Sequence, residues 1–405
     1  MVKRHGGSLK RELGLIHSAV YTVPAAELAA LESDPDVEYI APDRPVHATL
    51  DYANPAVNAN IARQYGWTGS GVTVAVIDSG IMDTHPDLRD AAGASRVVYA
   101  ESFNLTEGND PFDRYGHGTH VAGILGGDAS QSTGSQYTRS FWGIAPRVKF
   151  VSLKVLGRNG SGTDSMVISA IQRAIALKNK YNIRIINLSL GRPVMESYTL
   201  DPLCQAVEQA WTAGIVVIVA AGNEGRNNTR GTSGYGTITS PGNDPYAITV
   251  GAMKDMKSLS RGDDQMASYS SKGPTLFDQI AKPDLVAPGN KVISPVPAGL
   301  ALTNSYPGNK VMNSYYIAGG ANQGSDYYFE LSGTSMATPG SRRILAADNV
   351  PYRRPVAAAR RMQRPRSTAP PLGRRRSGRR EEGRHLHRRR PPAHGRAPLR
   401  RGRHR

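Results

Sequence analysis

The run Val72-Thr73-Val74-Ala75-Val76-Ile77-Asp78-Ser79-Gly80 decides the fold. Its apolar and β-branched residues, closed by a carboxylate and then Ser-Gly, read as a strand that ends in a turn. Further apolar runs follow at 148–155, 183–188, 215–220 and 247–250. Between the second and third of these five runs, Val167, Ile168, Ile171, Ala174 and Ile175 recur at helical spacing within 164–180, and between the third and fourth 201–213 reads as another helix. Strands alternating with amphipathic helices argue an α/β fold, a mostly parallel sheet with helices on both faces. Such sheets gather ligands at the carboxyl ends of their strands. Asp78 stands at one such end, and Asn223, in Ala220-Ala221-Gly222-Asn223-Glu224-Gly225, follows another.

Two more motifs complete a set. His117 lies in Gly116-His117-Gly118-Thr119-His120-Val121-Ala122-Gly123, and Ser335 in Leu331-Ser332-Gly333-Thr334-Ser335-Met336-Ala337-Thr338-Pro339. A serine hydroxyl is a weak nucleophile until a base takes its proton. The small residues around Ser335 would let a peptide approach and let the chain turn into a helix, whose first N–H groups favour nearby negative charge. Taken singly, each residue has a plainer reading: Asp78 as a helix cap, Asn223 as a turn residue, Ser335 in a capped turn. Together and in the order Asp, His, Ser, the four motifs resemble the subtilisin-like serine proteases from about Gly71 to Pro339.

That resemblance implies catalytic Asp78, His117 and Ser335, with the Asn223 amide and the Ser335 backbone N–H receiving the oxyanion. It also implies that Gly160, Ser161, Gly162, Ser189, Leu190 and Gly191 flank an extended protein or peptide substrate, though both segments also read as ordinary turns. Calcium is common in the family, and Asp87 in His85-Pro86-Asp87-Leu88 matches one ligand position. The loop that would complete the site, 126–140, does not match, so calcium is only a candidate cofactor and an exposed Asp87 the default. His120, three residues after His117, reads as a packing histidine, since neither His-Glu-x-x-His nor a third ligand accompanies it, and no metal site is assigned.

Residues 1–50 carry a strand-like 16–23, a helix-like 24–31 beginning with proline, and a second strand at 37–42. They resemble the later part of a ferredoxin-like subtilase propeptide, an α+β module that acts as intramolecular inhibitor. The module's first strand and most of its first helix are missing. The resemblance thus implies a zymogen, cut near 46–51, and a secreted, monomeric enzyme, although no apolar signal segment is visible. No run is long enough to span a membrane. Cys204 is the only cysteine, which excludes an internal disulfide.

The net charge of +17 is unevenly placed. Residues 340–405 hold 22 arginines, no lysine and three acids, a balance of +19, which leaves 1–339 at −2. Arginine, proline, alanine and glycine supply 44 of these 66 residues, a composition expected to be disordered. In the family the serine segment continues as a long apolar helix. Here Arg342 and Arg343 follow Gly340-Ser341, and burying both guanidinium groups without partners is costly. An out-of-frame reading of a GC-rich gene from near Gly340 accounts for the abrupt change. The 51–339 peptidase domain is then incomplete, and the chain is expected to be poorly folded or weakly active beside a frame-corrected version. The rivals are an inactive subtilase fragment and a basic nucleic-acid-binding protein. The tail has no interleaved aromatics or folded motif for specific nucleic-acid recognition. The related sedolisin class also carries Gly-Thr-Ser but has glutamate where His117 stands.

Overall fold

Strand β3 (Thr73–Asp78) is buried along all six residues and lies near the middle of an eight-stranded sheet. The computed structural model describes residues 2–13, 18–37, 40, 56–258 and 260–341. On one side β3 pairs in parallel with β5 (Lys149–Lys154), which pairs with β4 (Val97–Ser102). On the other it pairs with β6 (Ile183–Leu188), followed by β7 (Val216–Ala220), β8 (Ile248–Lys254) and β10 (Leu285–Pro288). Only the two-residue β9 (Gln265–Met266) runs antiparallel, against β8. The chain fills one side of β3 first and then the other. The crevice at the carboxyl ends of β3 and β6 is therefore a topological switch point, where such sheets bind ligands.

Side chains alternate across β3. Val74 and Val76 join Phe150, Ile185, Ile218 and Val250 on one face, under Val121, Ala122 and Leu125 of the helix His117–Gly126 and Met336 and Ala337 of the short helix Thr334–Ala337. Ala75 and Ile77 join Val151, Leu153 and Ile186 on the other face. There they meet Val167, Ile171 and Ala174 of the helix Asp164–Tyr181 and Leu203, Val207 and Ala210 of the helix Pro202–Thr212. Each fully buried branched side chain contributes about 1.5–3 kcal/mol. A single polar substitution in β3 would thus disturb the core on the face that its side chain enters. The first long helix ends at Asn182 in the left-handed conformation (φ 52°), and the second begins at Asp201, whose carboxylate accepts the Leu203 N–H at 2.9 Å.

The five strand expectations all fall on strands: β6 agrees at both ends, β3, β5 and β7 agree to within one residue at each end, and β8 starts one residue later and runs four residues further. Both helices agree to within a residue at each end. The sequence reading did not assign β4, β10 or the separate sheet of β11 (Val292–Pro295), β12 (Lys310–Met312) and β13 (Gly324–Leu331). Near the N-terminus, β2 (Ser18–Thr22) lies within the expected strand, but it pairs antiparallel with an unassigned strand, β1 (Ser8–Leu13). The expected helix is present as one 3₁₀ turn, Ala25–Glu27, followed by Leu28–Glu32. Val37 is not in a strand, and the rest of the expected 37–42 strand, apart from Ile40, lies outside the described residues. So do the cleavage region and the tail from Arg342 onward.

Candidate active site

Asp78 is the last residue of β3 and fully buried. His117 is the first residue of its helix, with a side chain 16% exposed. Residues 39 apart in sequence thus meet: His117 Nδ1 lies 2.8 Å from Asp78 Oδ1, which also accepts the Ser79 N–H at 2.7 Å. A carboxylate partner fixes the tautomer. Nδ1 carries the hydrogen, and Nε2 is left as the basic nitrogen. Burial pushes the His117 pKa down, but the charge and hydrogen bond of Asp78, with the charge of Asp113, outweigh it and hold the imidazolium above its ordinary range.

Ser335 is the second residue of the Thr334–Ala337 helix. Its hydroxyl donates to the Ser189 carbonyl at 2.9 Å, and the Ser189 hydroxyl donates back to the Ser335 carbonyl at 2.9 Å. Ser189 directly follows β6, so this reciprocal pair ties the serine to the sheet's carboxyl rim. No hydrogen bond between Ser335 and His117 is present among the described residues. Passing its proton to the imidazole requires the Ser335 hydroxyl to leave Ser189, and resting sites are often loosely aligned in this way.

Asn223 follows β7. Its side-chain oxygen accepts the Thr334 N–H at 2.9 Å and the Thr334 hydroxyl at 3.1 Å. The same hydroxyl accepts the Gly222 N–H at 3.2 Å. With the oxygen engaged, the Asn223 amide nitrogen is left to donate elsewhere. Asn223 and Ser335 line one pocket of about 340 Å³, walled by Leu190, Gly191, Val194, Ile238 and Leu276, with Glu224 and Arg230 also in its lining. Arg192, Asn227, Thr237 and Thr239 line it too, so the pocket is of mixed polarity and of a size to take one side chain of a bound ligand.

Of the expected substrate segments, Leu190 and Gly191 therefore border this pocket. Gly160, Ser161 and Gly162 do not. They pass on the His117 side, where a side chain at Gly160 would strike the Tyr115 ring, itself 6.4 Å from the His117 ring.

His120 is fully buried, its Nε2 3.1 Å from the carbonyls of Val292 and Phe329, and its pKa is lowered to about 3, first by burial and then by His117. Asp87 is not the exposed aspartate of the default reading but is fully buried. Its Oδ1 accepts from the Ser130 hydroxyl at 3.0 Å and the Gln131 N–H at 2.9 Å, and its Oδ2 from the Tyr328 hydroxyl at 2.6 Å. Calcium needs six to eight oxygen ligands. Asp87 is ringed instead by hydrogen-bond donors, so these residues do not fit a cation. Among the described residues no group of three or more His, Cys, Asp or Glu could hold a metal.

Several residues at the rim escaped the sequence reading. Thr334 anchors Asn223, and its only signal is its place in Gly-Thr-Ser. Lys154 stands in register with Asp78 on β5 and is buried, donating to the Phe112 carbonyl at 3.1 Å and pairing with Glu107 at 3.2 Å. Asp113, fully buried, lies four residues before His117.

A profile of the subtilase family matches residues 69–346. The serine protease AprX of Bacillus subtilis is 38% identical over 347 residues, covering 83% of this chain and 71% of that protein. Subtilisin E of the same organism is 34% identical over 324 residues, covering 79% and 74%. Among solved structures, sphericase superposes with a TM-score of 0.50 at 30% identity, over 69% of this chain and 77% of its own. Motif order, sheet topology and these likenesses converge, and the chain belongs to the subtilase family of subtilisin-like serine endopeptidases.

Proposed function

We propose that this chain hydrolyses internal peptide bonds of proteins through an acyl-enzyme formed on Ser335. His117 takes the hydroxyl proton through Nε2 as Ser335 Oγ attacks the carbonyl, then delivers it to the departing amine. Asp78 orients the imidazole and stabilises its cation. The Asn223 amide and the Ser335 N–H receive the negative oxygen of the tetrahedral intermediate. Water, deprotonated by His117, releases the acyl group in the second half-reaction. The substrate lies extended between 160–162 and 189–191, with one side chain in the pocket beside Asn223.

The observation that carries this reading is the 2.8 Å contact between His117 and the buried Asp78, on the rim where Ser335 is tied to β6. A serine-directed phosphonate and a chromogenic peptide test it. The full chain should hydrolyse the peptide, and Ser335→Ala should abolish turnover. Equal turnover by Ser335→Ala refutes the assignment.

A second reading, an impaired enzyme, is favoured by the Ser335 hydroxyl being engaged with Ser189. Folded chain with an intact His117–Asp78 contact but no phosphonate uptake would support it. We further propose that residues 1–50 act as an inhibitory propeptide of a secreted, monomeric zymogen. Among the described residues no helix is long and apolar enough to cross a membrane.

A further inference from the structure

We propose that Asp113 is a second ionised carboxylate of the site, a positioning residue that ties the strand bearing Asp78 to the helix bearing His117 and adds its charge in favour of the imidazolium. The inference rests on the reading of His117 as the base. Asp113 is fully buried, yet its two oxygens accept five hydrogen bonds. Oδ1 takes the Ser79 hydroxyl at 2.9 Å, the Tyr115 N–H at 3.0 Å and the Gly116 N–H at 2.7 Å. Oδ2 takes the Thr119 N–H at 2.9 Å and the Thr119 hydroxyl at 2.6 Å.

The donors come from both sides of the triad contact. Ser79 adjoins Asp78, while Gly116 and Thr119 bracket His117. The Ser79 hydroxyl also accepts the Gly118 N–H at 2.9 Å, and the Thr119 hydroxyl accepts the Met82 N–H at 3.0 Å. Each hydroxyl is thereby oriented to direct its single hydrogen at Asp113. The loop is pressed close: a side chain at Gly80 would meet the Pro111 carbonyl at 2.6 Å and the Asp113 nitrogen at 2.8 Å, and Gly80 has φ +100°. A proton on either carboxyl oxygen would have to displace one of the five donors.

Burial pushes the Asp113 carboxyl above its ordinary range, and the hydrogen bonds from Thr119, Gly116 and Ser79 oppose that push. Asp78 and Asp113 both favour the His117 cation. Of the other titratable groups around it, His120 on the same helix stays neutral, Tyr115 is raised by burial, and Lys154 on β5 is paired with Glu107.

The test is an NMR titration of the His117 ring in the full chain, which needs neither substrate nor Ser335. Asp113→Asn should lower the midpoint by about half a unit to one unit, while Ser79→Ala, which keeps the charge, should leave it within about 0.2 units. The acid limb of kcat/KM should move with the Asp113→Asn midpoint. An unchanged midpoint in folded Asp113→Asn overturns the proposal. Should that variant fail to fold, the ¹³C carboxyl signal of Asp113 in the unaltered chain decides: an ionised signal at pH 6 upholds it, and a protonated one overturns it. If the phosphonate spares Ser335 but the midpoint still shifts, the proposed function falls while this inference stands.

Discussion

Asn223 shows how one contact can orient a side chain whose type leaves its direction open. In a turn such as Gly222-Asn223-Glu224-Gly225 the amide could face either way. Two donors from Thr334 claim its oxygen, which turns the nitrogen out as a donor. Asn223→Ala should lower kcat by about 10²–10³-fold with little change in KM, a magnitude carried over from the corresponding subtilisin donor. Thr334→Val keeps the volume but removes the hydroxyl, and should lower kcat by about 2–10-fold, the worth of one hydrogen bond. A larger effect on KM than on kcat in either variant would contradict the assignment. The same scale fixes the pH profile. The His117 pKa is held above its ordinary 6.5, and the base must be neutral, so kcat/KM should rise with pH through a midpoint above 6.5 and then level off. The stabilisation given by the His117–Asp78 contact runs the other way: full below about 6.5, it is lost as pH rises through the raised midpoint.

At the scale of elements, Tyr328 on β13 reaches Asp87 and so joins the small sheet to the turn before β4. Burial, and then Asp87, raise its phenol pKa, so the hydroxyl stays protonated and donating. Tyr328→Phe should destabilise the chain by about 1–3 kcal/mol, read as a lower urea midpoint at unchanged slope. Added calcium should not restore it; restoration would mean that Asp87 takes a cation after all. Legibility in the sequence also divides at this scale. The central strands β3, β5, β6 and β7 were readable because burial on both faces demands mostly apolar residues, with only single polar ones such as Ser152 and Asn187 between them. Strand β4, Val-Val-Tyr-Ala-Glu-Ser, is only partly buried and lacks that signature. Strand β13, Gly-Ser-Asp-Tyr-Tyr-Phe-Glu-Leu, draws its burial from an aromatic cluster with Phe141 and Tyr316 that is assembled only in three dimensions. The triad candidates were legible because Asp78 closes an apolar strand and His117 and Ser335 sit in glycine-containing motifs that follow it in the order Asp, His, Ser. Asp113 was not, because Asp110 and Asp113 look alike in sequence. One pairs on the surface with Arg114, and the other is buried among five donors.

Across the whole molecule, stability against pH carries a second signature. Burial pushes the Asp244 carboxyl up to about 7, the Tyr246 N–H opposes this, and Glu208 adds to it. A carboxyl raised by folding contributes most below its unfolded pKa near 4, and that contribution is lost as pH climbs to about 7. Asp244→Asn should therefore raise Tm by about 5 °C at pH 8 and change it little at pH 4, as calorimetry would read. An equal shift at both values would deny that Asp244 titrates with folding. The convergence of Asp78, His117, Asn223 and Ser335 on one rim is the claim on which the rest depends. Its most direct measurement is the site and rate of phosphonate labelling, mapped by mass spectrometry on the full chain and on His117→Ala. The account predicts a single adduct on Ser335, formed at least about 10²-fold more slowly without the imidazole. An adduct on another residue, or labelling of Ser335 at the same rate in His117→Ala, would contradict it.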